Sequence, residues 1–192
     1  MQNIRRSTKK HRKLLIVIVI VLTVGLVGSF AVWNSDDLGQ GNGAEKSTVE
    51  QIEYLQSIIV ENEPAEGDEI DYDTASTMAS LKMQIWSLYY QAAGESRTVD
   101  EAASNAYLDS AIIAAAEAAI YFKMQQEQAP DTINDQAKAQ IIGRQATALS
   151  YAGENEQARV LFDQALDLDP TSYEVAMSYL NFAYISEGFT FA

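Results

Sequence analysis

The chain has 192 residues, no cysteine and one histidine, with 13 Lys and Arg against 27 Asp and Glu. That is enough chain for one modest domain, and the lack of thiols excludes disulfide staples, thiolate catalysis and cysteine-bound zinc. Residues 1–33 hold six basic groups and no acid, whereas residues 34–192 hold seven basic and all 27 acidic groups, a net of −20. A surface that negative repels phosphates, so no nucleic acid is expected as a partner.

Residues 14–33, LLIVIVIVLTVGLVGSFAVW, contain no ionisable side chain. At a helical rise of about 1.5 Å per residue they span roughly 30 Å, the thickness of a bilayer core. The basic flank, residues 1–13, is expected to stay cytoplasmic, with residues 14–33 as a single transmembrane helix in the plasma membrane and the rest outside the cell. Trp33 stands where an interfacial aromatic is favoured, and Asn34, Asp36 and Asp37 end the apolar run. A cleaved secretory signal shares this layout, and Val27-Gly28-Ser29 supplies small residues for it; the apolar run exceeds the usual ~7–15 residues of such a signal. Gly25 and Ser29 form a small-xxx-small pair on which two anchors can pack.

Residues 34–73 read as a linker. Its first part, NSDDLGQGNGAEK, has the composition of a flexible tether. Ser47-Thr48-Val49-Glu50 then forms a capping box, and Val49, Ile52, Leu55, Ile58 and Ile59 recur at helical spacing, predicting an amphipathic helix over 48–61. Residues 61–73, ENEPAEGDEIDYD, are an acidic loop broken by Pro64 and Gly67. Asp68, Glu69, Asp71 and Asp73 invite a calcium reading, but the order of ligands, turn glycine and closing glutamate of an EF-hand is missing.

From Thr74 onward apolar residues step by three and four with abundant alanine and no period of two, which predicts an all-α domain over 74–188, followed by a tail at 189–192. The expected helices run from an Asp73 or Thr74 cap to Ala93 with Gly94 at C′, and from a Thr98–Glu101 capping box to about Gln128. A third follows an Asp131 cap as far as Tyr151 or Ala152 and stops at Gly153; a fourth spans residues 154–168. The last starts at a Thr171–Glu174 capping box and reaches about Ser186.

Residues 139–172, AQIIGRQATALSYAGENEQARVLFDQALDLDPTS, resemble a tetratricopeptide (TPR) repeat. Ile142, Ala146, Leu149 and Gly153 match the family's positions on the first helix, and Ala158, Phe162, Ala165 and Pro170 those on the second; Gln145 stands where the family has leucine. Residues 90–96 partly echo residues 149–155, with Ala103 and Tyr107 as the small and aromatic positions of a degenerate upstream repeat. The resemblance implies an all-α, TPR-like solenoid of antiparallel helix pairs preceded by one N-terminal transmembrane helix. It also implies a concave face, made by the first helices, that holds a segment of another protein. The matching face comprises Gln140, Gly143, Thr147, Ser150 and Tyr151, then Glu174, Met177, Asn181, Tyr184 and Ile185.

The one histidine, His11, lies in the basic flank, so the main domain lacks imidazole for a triad, a proton shuttle or a zinc site, and no phosphate-binding glycine motif follows a strand. No catalysis, cofactor or metal is expected. The expected role is a membrane-anchored, extracytoplasmic scaffold for protein–protein interaction in an envelope or secretion-associated complex, drawing partners with basic segments. A self-assembling structural subunit, a homo-oligomer, and a cation-responsive sensor using the acidic loop are the alternatives.

Overall fold

The computed structural model describes residues 46–64 and 69–187. The apolar run at 14–33, most of the tether, residues 65–68 of the acidic loop and the tail at 189–192 lie outside the described residues. Among the described residues no helix is long and apolar enough to cross a membrane.

The described residues form six α-helices and no strand: α1 Thr48–Asn62, α2 Tyr72–Ser96, α3 Glu101–Glu127, α4 Asp135–Tyr151, α5 Asn155–Leu168 and α6 Tyr173–Glu187. Short turns join α2 to α3 and α4 to α5, and each pair packs along its length, which makes both antiparallel hairpins. In addition α3 packs on α4, and α6 lies against both α4 and α5.

The expected capping box opens α1, with the Glu50 amide donating to Ser47 Oγ at 3.3 Å and the Ser47 amide donating to Glu50 Oε2 at 2.8 Å. The same backbone bond, with the Ser47 hydroxyl next, lowers the Glu50 carboxyl below its ordinary pKa. Ile52, Leu55, Ile58 and Ile59 are buried, and α1 packs on α2. Its stripe therefore docks on its own domain, and residues from Lys46 onward belong to one compact unit. Thr48 Oγ1 donates to Glu95 Oε1 at 2.9 Å, and Gln56 Nε2 donates to the Tyr89 hydroxyl at 2.7 Å, fixing the register of α1 on α2.

Later helix starts differ from the sequence reading by a few residues. Asp71, not Asp73 or Thr74, caps α2 by accepting from the Thr74 amide at 2.8 Å. Asp100, not Thr98, caps α3, and Asn134, not Asp131, caps α4. Ser172 rather than Thr171 opens α6, because Thr171 donates both its amide and its hydroxyl to Asp169. Before α3, α4 and α6 the chain passes through a turn that takes up the earlier candidate, whereas Asp73 and Thr74 lie inside the first turn of α2. Before α4, for instance, the Ile133 amide bonds the Pro130 carbonyl at 3.0 Å. Gly94 is not a C′ residue: α2 continues through it to Ser96, whose carbonyl accepts from Val99 and Asp100. Gly153 does end α4 with φ of 86°, and the Glu154-to-Leu149 and Gly153-to-Ser150 bonds make the paired closure of a Schellman motif.

One buried cluster joins α4, α5 and α6 through Ala139, Ile142, Ala146, Ala158, Phe162, Ala165, Val175 and Phe182. Six of these, Val175 and Phe182 apart, lie in the 139–172 stretch, so the small and aromatic positions of that stretch are core. Gly143 belongs here too: a Cβ at this position would stand 2.8 Å from Val175 Cγ2, so the missing side chain is what lets α6 come this close to α4. A second cluster joins α2, α3 and α4 through Ala79, Ala118, Ala119, Phe122 and Ala148.

The upstream hairpin departs from the sequence reading. Ala103 and Tyr107 are only half-buried, while Ser104, Ala111, Ala118 and Phe122 are buried, with Ser104 Oγ donating to the Ala93 carbonyl at 2.8 Å. The cause is length: α3 has 27 residues against 14 in α5, so its small-xxx-Phe contact with α4 falls in its distal half.

Phe162 is fully buried among small residues and the rings of Tyr179 and Phe182. Phe162→Ala should lower stability by about 3–5 kcal/mol, read as a reduced denaturant midpoint in chemical unfolding. Gln145, standing at the leucine position of the repeat, is buried with Oε1 lacking a hydrogen-bond partner. Gln145→Leu should raise stability by about 1–3 kcal/mol in the same titration, since it removes an unmatched buried acceptor.

Candidate functional site

The C-terminal end of α4, the start of α5 and one side of α6 enclose a cleft of about 400 Å³, within the size range of binding clefts. Thr147, Ser150 and Tyr151 line it from α4, Gly153 and Asn155 from the turn and start of α5, and Ser178, Asn181, Phe182, Ile185 and Ser186 from α6; Ile112 of α3 closes one side. None of these residues is charged, in a domain that is otherwise strongly acidic.

Three of the five hydroxyl groups that line the cleft share one arrangement. Thr147 Oγ1 donates to the Gly143 carbonyl at 2.9 Å, Ser150 Oγ to the Thr147 carbonyl at 2.7 Å, and Ser186 Oγ to the Phe182 carbonyl at 2.7 Å. Each spends its proton on its own helix, which leaves the oxygen as an acceptor. The amides of Asn181 and Asn155 bring both donors and acceptors. The cleft thus offers acceptors from these three hydroxyls, mixed polar groups from the two amides and the Tyr151 and Ser178 hydroxyls, and the apolar surfaces of Ile112, Phe182 and Ile185. That set matches backbone N–H groups and one or two apolar side chains.

Tyr151 has a second attachment. Its ring stacks on Trp86 of α2 with centroids 3.9 Å apart and planes 6° from parallel, and Trp86 in turn faces Tyr90 at 5.9 Å. The Tyr151 ring is therefore a wall of the cleft held by the fold. Tyr89 of α2 is half-buried between Gln56 of α1 and Tyr107 of α3.

Of the ten groove residues read from the sequence, the structure brings Thr147, Ser150, Tyr151, Asn181 and Ile185 to the cleft. The other five lie elsewhere. Gln140 sits half-buried near the start of α4, and Glu174 pairs with Arg144, whose Nε donates at 3.0 Å. Met177 and Tyr184 are exposed on a different side of α6. Gly143 is buried against Val175. Sequence reasoning missed Ile112, Ala152, Gly153, Asn155, Ser178, Phe182 and Ser186 as lining residues. Ser178 stands three residues before Asn181, a helical step that put it within reach of the sequence; Ile112 arrives from another hairpin and has no such signal.

A larger groove of about 550 Å³ runs between α1 and α3 over α2, but its polar groups are matched internally. Lys82 pairs with Glu117, and Gln56 with Tyr89. Among the described residues no group of three or more His, Cys, Asp or Glu side chains is placed to hold a metal ion, and Asp71 of the acidic loop serves as the cap of α2.

Comparison with protein families, with characterised proteins and with solved structures returns no match for this chain.

Burial pushes the Tyr151 phenol above the ordinary value of about 10, and Tyr121 is raised mainly by the same cause. The folded protein then holds these protons at a pH where the unfolded chain has lost them. Stability is unaffected below pH about 10 and falls as pH rises from there towards the higher folded values. In Tyr151→Phe the fall should be shallower, with Tyr121 accounting for the remainder, as measured by urea unfolding at a series of pH values.

Proposed function

We propose that this protein is a membrane-anchored, extracytoplasmic scaffold of tetratricopeptide type that holds a segment of a partner protein in the cleft between α4 and α6. The observation that carries the reading is the cleft's chemistry: hydroxyl oxygens reduced to acceptors, two amides and exposed apolar surface, with no charge and no general base. Such a surface binds and does not catalyse. An extended or helical peptide supplies the complementary N–H groups and an apolar anchor beside Ile185.

The anchor reading rests on residues 14–33 and their basic flank. The −20 charge of the remainder acts at longer range, speeding the approach of partners with basic segments while the neutral cleft makes the short-range contacts. The 34-residue match at 139–172 supports the family reading, since its small and aromatic positions are the buried ones.

The test is a photo-crosslinking residue placed at Asn181 of the full chain in intact cells, together with protease added from outside. A discrete protein adduct is expected, reduced at least tenfold by Ile185→Glu, with the domain cleaved only by the external protease. Ile185 is exposed, so this substitution leaves the fold intact. No adduct, or one indifferent to Ile185→Glu, overturns the cleft reading; a protected domain overturns the topology.

A further inference from the structure

Among the described residues α6 is the last helix, and one side of it is uncovered. Tyr173, Met177, Leu180 and Tyr184 are 77%, 46%, 55% and 58% exposed, and they follow one another at steps of four, three and four residues. At 3.6 residues per turn they form a single stripe, roughly 140° around the helix from the centre of the residues that line the cleft. A straight apolar stripe is unlike the scattered single exposures normal for a protein surface.

The preceding hairpin shows what this face is for. Shifted by the 34-residue length of the repeat, the stripe corresponds to Ala139, Gly143, Ala146 and Ser150 of α4. There the first three are buried beneath the helices that follow: Ala139 and Ala146 share a cluster with Ala158, Phe162 and Ala165 of α5, and Gly143 meets Val175 of α6. The face that α4 gives to succeeding helices is open on α6. It also carries different side chains, since Tyr, Met and Leu replace Ala and Gly. Small residues suit a close contact within a chain; tyrosine and methionine are the types enriched where separate molecules meet.

We infer that the occupant is α6 of a second copy, docked antiparallel about a two-fold axis. The spacing four-three-four reads the same in both directions, and so does the chemistry, with a tyrosine at each end and Met177 and Leu180 between. Reversed on itself, the stripe sets Tyr173 against the partner copy's Tyr184 and Met177 against its Leu180. This is the self-complementarity an isologous contact requires. Charge permits this face: two bodies of −20 repel, but none of the four stripe residues carries a carboxylate, and Glu174 and Glu187 lie at its margins. The 15 residues of α6 extend only about 22 Å, so the contact is below the roughly 1,200 Å² of stable complexes and forms reversibly. It is independent of the cleft, which stays open on the other side of α6.

The absence of native cysteine makes the geometry directly testable. Full chains carrying Tyr173→Cys or Tyr184→Cys are purified in a non-ionic detergent and oxidised, singly and as an equal mixture. Antiparallel docking brings residue 173 of one copy to residue 184 of the other, whereas identical positions stand eleven residues, or about 16 Å, apart along the axis, too far for a disulfide. The expected result is a disulfide-linked dimer in the mixture and at least tenfold less in either single sample. Lengthening the mixture's oxidation series from about 0.01 M to about 0.1 M salt should raise the dimer yield, because the Debye length falls from about 30 to about 10 Å and the like charges are screened. Leu180→Glu in both chains should abolish the dimer while leaving the Asn181 adduct of the cleft unchanged. No dimer in the mixture, equal dimer in the single samples, or a dimer that survives Leu180→Glu overturns the inference. So does a different protein captured at Tyr184→Cys in place of the second copy.

Discussion

Close approach of helix backbones, permitted by alanine and glycine, is the constraint on which this domain depends. In one cluster Ala79, Ala118, Ala119 and Ala148 gather with Phe122; in the other Ala139, Ala146, Ala158 and Ala165 gather with Phe162, which also packs on the rings of Tyr179 and Phe182. A buried alanine removes little apolar area from water, so helices built this way gain their cohesion from tight contact and from the few large side chains that fill the space at each crossing. Ala118–Phe122 and Ala158–Phe162 repeat the same step on α3 and α5, although the two helices differ nearly twofold in length. Gly143 carries the principle to its limit, since even a methyl group there would collide with Val175 and push α6 away.

That position of α6 has consequences at both of its surfaces. On the side towards α4 it leaves the cleft, whose walls are as near as they are because Gly143 admits Val175. Towards solvent it exposes the tyrosine and aliphatic stripe that in α4 is replaced by small, covered residues. Both surfaces are uncharged within a segment, residues 34–192, of net −20. In the proposed reading long-range electrostatics governs which molecules arrive, and short-range packing and hydrogen bonding govern what stays. The Trp86–Tyr151 stack ties the cleft to the upstream hairpin, so its wall is set by a helix distant in sequence.

The helices themselves were legible because hydrophobic period and stop signals agree. Residues 154–168 differ from α5 by one residue, and Gly153 ends α4 in the left-handed conformation that glycine adopts freely. Caps were less legible. Asp71, Asp100, Asn134 and Ser172 each compete with a neighbouring Ser, Thr or Asp of equal capping power, and at the last three the choice falls to whichever residue the preceding turn leaves free. Gly94 had the local signature of a helix end, yet α2 packs against α3 on both sides of it and the helix runs on.

Sequence by itself determined the helical class, the small-and-aromatic core of residues 139–172 and the electrical division of the chain, because each depends on residue type and local spacing alone. It also placed Thr147, Ser150, Tyr151 and Asn181 on faces that meet, since a 34-residue period relates α4 to α6. Tertiary structure alone decided that Ile112 joins them, that Tyr151 is held by Trp86, and that Met177 and Tyr184 face away from the cleft. Those outcomes depend on how far α3 extends and on the direction in which α6 crosses α4. Crossing geometry is set by the summed packing of side chains from several helices, and no local window of sequence contains that sum.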